Sequence, residues 1–510
     1  MKLTALAQPF SFDLTLRSGF MNYLMVSLAG ALAPLGFAPF HLPGLTLLSL
    51  AYFYFTLQTL TTKQSFFNGF FYGIGFFGIG VSWVIVSIHD YGQLNFFISG
   101  IITLIFVMYL SLFIGAVAVA FNYLRPQGYP LLSVPLFAAL WCAGEYLRST
   151  LFTGFPWLLI GTPLIDTPVK FLTPIIGIYG LNFYAALLAA LLALLLGEVK
   201  PKKFIFVALF VIMLIAPAAL TKTSWTQLKT DEPVSVGAVQ ANLSMRDKWD
   251  ETLFWNLLRL YEQSIKQLLG KKLIILPESA IPLPASYLDK YLTRLNKKAT
   301  AAGSGLILGI LQPTNETETH YYNAIITLGT AKGKWLKQHL VPFGEYVPSV
   351  FSTINKWLNL PELNIVPGRK FQRLISISGL PLASLICYEI AYPSILAQQM
   401  PKAQWIVSIS DNGWFGHSLA SYQQLQMAQI LSLLTERYQV VVNNDGLSSI
   451  INSKGEVIER LPPFSAGLLE GTIFPASGST PWIHWHEYPA FLLCAAIIIL
   501  SLLARLFKWF

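Results

Sequence analysis

The stretch GLPLASLICYEIAYPS, residues 379–394, is a short and almost uninterrupted apolar run that stops abruptly at Cys387, Tyr388 and Glu389. A run of that length, bounded by turn signals, reads as a strand covered on both faces, as in α/β sheets. Similar runs lie on either side of it. VSVGAVQANL (234–243), KLIILPE (272–278), GLILGILQ (305–312), YYNAIITL (321–328), GKWLKQHL (333–340), FQRLISIS (371–378), QWIVSISD (404–411), QVVVNND (439–445) and LSSIINS (447–453) all read as strands. Segments 250–269, 286–302 and 419–437 read as helices between them. Strands interleaved with helices predict an α/β domain.

Outside this region the composition changes. Over all 510 residues 54% are apolar and 12% charged, and the mean hydropathy is +0.56. Such a chain belongs with membrane proteins, because about 20 apolar residues in a helix cross a hydrocarbon core of about 30 Å. Spans are predicted near 20–38, 44–61, 67–88, 95–122, 130–147, 171–196, 204–221 and 488–507, about eight transmembrane helices. The fifth is interrupted by Pro135, Glu145 and Arg148. No small-residue cleavage site follows the first span, so a removed signal peptide is not expected.

Positive charge is retained in cytoplasmic loops. Lys2 and Arg17 precede the first span, and Lys63, Arg125, Lys200, Lys202, Lys203, Arg505 and Lys508 fall in alternate loops, while 39–43 and 89–94 carry none. Arg148 and Lys170 are exceptions. This pattern places the polar segment from about 222 to 487 outside the cytoplasm. The expected organisation is a membrane domain with seven spans (1–222), an extracytoplasmic domain (223–480) and a C-terminal span (481–510). TKTSWTQLKTDEP (221–233) and PASGSTPW (475–482) read as linkers that tether the domain at both ends and hold one face near lipid. The net charge of +9 contains no basic run that would suggest nucleic acid.

Cys142 and Cys494 fall inside predicted spans, where a thiol is an ordinary packing group. Cys387 has no partner cysteine in the exported segment, so it is either buried and inert or kept for chemistry. Two other strand-like runs also end at a reactive side chain: LIILPESA at Glu278, and WLKQHLVPFGEYVP at Lys337, with Glu345 beyond. Carboxyl ends of strands are a common place for active sites in open α/β sheets. Taken singly, Glu278 also reads as a solvated turn residue and Lys337 as one of several lysines on a surface strand. Trp414, Phe415 and Phe343 sit beside glycines in DNGWFGHS and VPFGEYVP, as lid aromatics or as core. His484 and His486, flanked by Trp482 and Trp485, fit an aromatic belt before the last span better than a metal site. Asn315–Thr317 match a glycosylation acceptor too short to carry weight.

LPESA, KQHLVPFGEYVP and ICYEIAYP resemble the Glu, Lys and Cys blocks of the nitrilase (carbon-nitrogen hydrolase) superfamily. With VQANLSMRDKWD, SISDNGWFG and the multi-span region, essentially the whole chain resembles the bacterial apolipoprotein N-acyltransferase family. The resemblance implies an α-β-β-α sandwich for the exported domain, in the periplasm, on a multi-pass protein of the bacterial inner membrane. It implies transfer of an acyl chain from a phospholipid to the N-terminal amine of the S-diacylglyceryl-cysteine of an apolipoprotein, without metal or other cofactor. Glu278, Lys337 and Cys387 take the triad positions. Glu345, Tyr388, Glu389 and Trp249 fall on positions important in the family.

The chemistry is consistent with that assignment. A thiol is mostly protonated at neutral pH and only its thiolate attacks well, so a base is needed. Glu278 is the expected base, Lys337 and the Tyr388 backbone N–H the expected oxyanion donors, and Glu345 the expected orienter of Lys337. Two other functions fit fewer residues. One is a membrane-tethered amidase in which water resolves the thioester. The other is a transporter with a degenerate ligand-binding domain.

Overall fold

The computed structural model describes residues 19–92, 94–126, 129–197, 202–314, 319–348 and 364–507. Lys2, Arg17, Lys200 and Lys508 of the loop charges, and the 315–317 acceptor pattern, lie outside them. The chain divides into two compact units, one formed by 1–223 with 484–510 and the other by 224–483.

The first unit is helical. Helices occupy Phe20–Leu32, Pro43–Thr56, Thr62–Gly80, Phe96–Leu124, Pro130–Thr150, Thr173–Gly197, Lys202–Ile215 and Tyr488–Leu506. Four stretches, Phe96–Leu124, Pro168–Leu195, Phe204–Lys222 and Tyr488–Leu506, are long and apolar enough to cross a bilayer. A bent pair, Thr62–Gly80 with Val84–Asp90 at 65°, makes a fifth candidate. The other three expected spans differ from the sequence reading. Phe20–Gly36 is a shorter apolar helix whose last turn tightens at Pro34, where no N–H is available to continue the ladder. Pro43–Thr56 has 14 residues. Pro130–Thr150 is one continuous helix of 21 residues that carries Pro135, Glu145 and Arg148 and is not among the apolar set.

Apolar helices gain nothing from excluding lipid, so close packing and internal hydrogen bonds must hold them together. A Cβ on Gly30 would lie 2.1 Å from the Tyr72 carbonyl oxygen, which shows how tightly Phe20–Leu32 and Thr62–Gly80 approach. Asn22 donates to Asn68 at 3.1 Å across the same pair. Ser49 and Tyr72 share a 2.8 Å bond, and Thr46 donates to the Ala33 carbonyl at 2.7 Å. Glu145 accepts from the Ile160 N–H at 3.0 Å, so it packs inside the unit.

The second unit is built on two seven-stranded sheets. In the first, the order is Gly467–Ile473, Val234–Gln240, Leu273–Ile275, Gly305–Pro313, Tyr321–Gly329 and Lys334–Leu336, with Ile281–Pro284 beside Gly305–Pro313. In the second it is Val457–Arg460, Ser449–Ile451, Gln439–Asn443, Ile406–Ser410, Leu380–Ile386, Ile375–Ile377 and Ala331–Lys332. The middle strands of each sheet run parallel and the outer ones antiparallel. Parallel strands need cover on both faces, and their side chains are buried almost throughout. Helices Phe254–Leu268 and Asp289–Ala301 lay Leu257, Tyr261, Ile265, Leu292 and Leu295 on Ile274, Leu306 and Leu308 of the first sheet. Ala420–Thr435 covers the second. The sheets meet face to face, with Gly305 against Ile377 and Gly471 against Ile450. The result is an α-β-β-α sandwich.

The two segments that read as linkers are structured. Thr226–Leu228 pairs antiparallel with Ala476–Gly478, so the entering and leaving chains close on each other. The Glu436 carboxylate accepts the Trp225 and Thr226 N–H groups at 2.8 and 3.0 Å and clamps this ribbon to the unit. Trp482 is 1% exposed, which removes it from an aromatic belt, whereas Trp485 is exposed.

Gly309 decides the local geometry of one strand exit. A Cβ there would lie 2.6 Å from Cα of Glu278 and 2.7 Å from the Pro277 carbonyl oxygen. Neither atom is the movable end of a side chain. Gly309→Ala is therefore expected to lower stability by about 1–3 kcal/mol and to displace Glu278. Thermal unfolding of the full chain, together with the rate of Cys387 alkylation by iodoacetamide, measures both effects.

Candidate active site

Glu278, Lys337 and Cys387 each follow a strand, and the two sheets bring them together. Glu278 leaves the Leu273–Ile275 strand and Lys337 the Lys334–Leu336 strand of the first sheet, while Cys387 leaves Leu380–Ile386 of the second. Lys337 Nζ lies 3.2 Å from Glu278 Oε1 and 2.9 Å from Glu345 Oε2. Lys337 is 1% exposed and Glu278 6%, which excludes both the surface-strand reading of the lysine and the solvated-turn reading of the glutamate. Strand pairing explains the difference: the Lys337 N–H donates to the Asn323 carbonyl at 2.9 Å, directing the side chain inward past its exposed neighbour Lys334.

A buried ammonium is expensive unless paired, and here two carboxylates face it. Burial pulls the Lys337 pKa down, but Glu278, Glu345 and the Cys387 sulfur outweigh it, and the net direction is up. Lys337 is thus held as an ammonium. Asn323 donates to Glu278 Oε1 at 2.7 Å and to Glu345 Oε1 at 2.8 Å, spacing the two carboxylates. Glu345 also accepts the Val341 N–H at 2.8 Å, which ties its own loop shut.

One ammonium against two carboxylates leaves the cluster one negative charge, before the thiol is counted. Burial chiefly, then the charge of Glu278, pushes the Cys387 thiol well above its usual value, against the pull of Lys337. The resting sulfur is therefore a neutral thiol hydrogen-bonded to the Glu278 carboxylate. Moving its proton to Glu278 leaves the net charge unchanged. The arrangement can make a thiolate without admitting a second uncompensated charge.

Cys387 has φ +52°, a left-handed conformation that costs a non-glycine residue of the order of 1–3 kcal/mol. Glu389, fully buried, helps to hold it. Its carboxylate accepts the Ile386 N–H at 2.9 Å and the Trp335 indole N–H at 3.3 Å. The other oxygen accepts the Gln338 N–H at 2.6 Å and the His339 N–H at 3.3 Å. One side chain thus fixes the residue before the thiol and the two residues after the lysine, which belong to different sheets. Burial drives the Glu389 carboxyl up to about 7 against these N–H donors. Tyr388 is buried beside the thiol, its ring 5.2 Å from Tyr392 and 5.6 Å from His339.

The aromatic residues separate into two groups. Phe343 is 59% and Trp249 49% exposed, so neither is core. The helix expected from 250 starts only at Phe254, leaving Trp249 on the turn before it. Trp414 and Phe415 are half-buried on a 3₁₀ turn after the Ile406–Ser410 strand. Sequence reading passed over Asn323, Lys248 and Asp411. Asp411 obeys the same rule as the other three, a polar group at the exit of an apolar strand, and could have been found by it. Asn323 gave only the weaker signal of an amide inside YYNAIITL.

The cluster predicts its own thermodynamics. Lys337→Met strands two buried carboxylates and is expected to destabilise by about 3–5 kcal/mol. The double variant Lys337→Met/Glu345→Gln should recover part of that loss in thermal unfolding. His339 makes a separate prediction. Burial, then the charge of Lys337, lower its imidazole to about 4, whereas an unfolded imidazole protonates near 6.5. The folded chain therefore binds fewer protons across that window, and the stability contributed is full above 6.5 and lost as pH falls toward 4. Between pH 6.5 and 4.5 the unfolding midpoint is expected to shift by several degrees in favour of His339→Gln relative to the unsubstituted protein. A pH-independent difference would show the imidazole to be solvated.

Comparison with known proteins places the chain in a family. Residues 29–191 match the family model described as "Apolipoprotein N-acyltransferase N-terminal domain", and 235–480 match "Carbon-nitrogen hydrolase". Proteins named apolipoprotein N-acyltransferase from Coxiella burnetii, Pseudomonas syringae pv. tomato and Azotobacter vinelandii are 36%, 35% and 35% identical. The alignments cover 95%, 96% and 96% of this chain and 99%, 98% and 96% of theirs. A solved carbon-nitrogen hydrolase from Helicobacter pylori G27 matches 51% of this chain and 94% of its own at 14% identity, with a TM-score of 0.36. By its near full-length similarity to these relatives, the chain belongs to the apolipoprotein N-acyltransferase family.

Proposed function

We propose that this protein transfers an acyl chain from a phospholipid, through a thioester on Cys387, to the N-terminal amine of a diacylated apolipoprotein. The observation that carries the reading is a buried cysteine in a strained turn at a strand exit, beside the Glu278 carboxylate and its buried ammonium partner, in a chain whose remaining unit is built of apolar helices. The relatives' shared name supports the acceptor and the reaction type.

In the first half-reaction the Cys387 sulfur attacks the ester carbonyl while Glu278 takes the thiol proton. Negative charge develops on the carbonyl oxygen, where the Lys337 ammonium and the Tyr388 backbone N–H stabilise it. Collapse breaks the ester C–O bond, and Glu278 returns its proton to the departing glycerol oxygen. The products are a thioester and a lysophospholipid. In the second half-reaction the acceptor amine attacks the thioester, Glu278 accepts the amine proton, and the Cys387 thiolate leaves and recovers it. An amide replaces a thioester, so the transfer runs downhill. Glu345 orients Lys337, and Glu389 keeps lysine and thiol in register. Trp249, Phe343, Trp414 and Phe415 serve as the lid and lipid contacts.

Both substrates are lipids, and the order of the chain suits them, with the 224–483 unit inserted between apolar helices. The distribution of Lys63, Arg125 and Arg505 against the 39–43 and 89–94 segments, which carry no lysine or arginine, supports an inner-membrane protein with its catalytic unit in the periplasm. On this reading 1–222 is the membrane domain, 223–480 the catalytic domain and 481–510 a final span.

Incubating the purified full chain with acyl-labelled phospholipid and no acceptor tests the proposal. Label should appear on Cys387, be released by hydroxylamine, and chase onto a diacylated peptide amine. Cys387→Ala should retain no label and Glu278→Gln at least about 100-fold less. Free fatty acid as the sole product, even with acceptor present, would instead indicate a hydrolase.

A further inference from the structure

A second buried ion pair lies directly behind Glu278. Lys248, the last residue of the short helix Met245–Lys248, is 1% exposed, and Asp411, the first residue after the Ile406–Ser410 strand, is 2% exposed. Their side chains form a salt bridge. Each also reaches Glu278. Lys248 Nζ donates to the Glu278 backbone carbonyl at 3.1 Å, and the Asp411 backbone N–H donates to Glu278 Oε2 at 3.0 Å. The second Asp411 oxygen accepts from the Gly413 N–H at 3.2 Å and from Asn444 Nδ2 at 3.1 Å. Asn444 in turn holds Leu243 by both its N–H and its carbonyl, at 3.1 and 2.7 Å.

The pair makes no sense as a stabilising device alone, because desolvating two charges costs about what their attraction returns. Its contacts suggest a different use. Lys337 and Asn323 occupy Glu278 Oε1, so the orientation of the carboxylate about its last bond depends on what holds Oε2. That partner is the Asp411 N–H, whose position is set by the salt bridge to Lys248. The Lys248 contact meanwhile anchors the Glu278 backbone. A base displaced by about 1 Å can lose about 100-fold in rate.

We propose that Lys248 and Asp411 are positioning residues for Glu278, gripping its backbone and one carboxylate oxygen so that the carboxylate meets the Cys387 thiol. This rests on the acyl-transfer reading above. The half-exposed Trp249 follows Lys248 in sequence, so movement of that turn is coupled to the base. The charged and titratable groups around Glu278 are Lys337, Glu345, Cys387, Lys248 and Asp411. Asp445 stands behind them, raised to about 7 by burial and then by the charge of Asp411, against Lys248.

The test uses the full chain and the variants Lys248→Met, Asp411→Asn, their double, and Lys248→Arg. Each of the first two leaves a buried charge unpaired and should lower the unfolding midpoint. The double variant lacks both charges and should regain it, yet its rate of thioester formation should stay about 10- to 100-fold low with an unchanged KM for phospholipid. Recovery of rate together with midpoint would reduce the pair to a structural role and overturn the proposal. Should the double variant not fold, Lys248→Arg keeps the charge and changes the geometry: a midpoint near that of the unsubstituted protein with a roughly tenfold slower rate is expected, and an unchanged rate overturns the proposal. Iodoacetamide alkylation of Cys387 against pH, read by peptide mass spectrometry, needs no lipid substrate. The double variant's profile should move in the same direction as that of Glu278→Gln, and a profile superimposed on the unsubstituted protein's, or no displacement in Glu278→Gln itself, overturns the positioning. Thioester absent from the unsubstituted protein, with the displaced alkylation profiles present, would overturn the acyl-transfer reading and leave the positioning intact.

Discussion

The Lys337 ammonium, enclosed between Glu278 and Glu345, is the constraint from which the rest of the two-sheet unit follows. An ammonium 1% exposed to solvent is tolerable only with compensating negative charge close by, and Glu278 and Glu345 place carboxylate oxygens within about 3 Å of it. That requirement fixes the exits of two strands in the first sheet, the loop that carries Glu345, and the amide of Asn323 between them. It also sets the state of the sulfur. A thiolate added to a cluster already one charge negative would be repelled, so the thiol keeps its proton.

Two sheets must agree for this to work. Glu389 supplies the agreement, since its two carboxylate oxygens accept N–H groups from 386 on one sheet and 338 and 339 on the other. The strain stored in the left-handed Cys387 is offset by contacts of this kind, and the outcome is a sulfur set at a sharp turn directly after a strand. A parallel logic appears behind Glu278, where Lys248 and Asp411 join the turn at 248 to the strand exit at 411. The two-sheet unit therefore uses buried charge to determine register between elements that apolar packing alone would leave free to slide.

The helical unit solves a different problem. Its helices are apolar on most faces, so the sites that specify their packing are small residues and paired polar groups, Gly30 against Tyr72 and Asn22 with Asn68. Two of the helices are shorter than the apolar runs that encode them: the first tightens at Pro34, and the second, which starts at Pro43, already stops at Thr56. Hydropathy counts the apolar residues of a run without reading these interruptions.

By itself, the sequence determined the division into apolar helices and an α/β insert, the strand exits at Glu278, Lys337 and Cys387, and the two glycine-flanked aromatic loops. These are properties of local periodicity and of residue type at a strand end, which chain neighbours decide. Whether Glu278 and Lys337 were solvated or buried, whether Trp249 was packed, and that the segments around 226 and 477 pair with each other could not be read there. Those outcomes, with the roles of Asn323, Lys248 and Asp411, belong to the tertiary structure. A charged side chain becomes a base, an anchor or a bystander according to which distant groups replace its water, and that exchange happens only when the two sheets close.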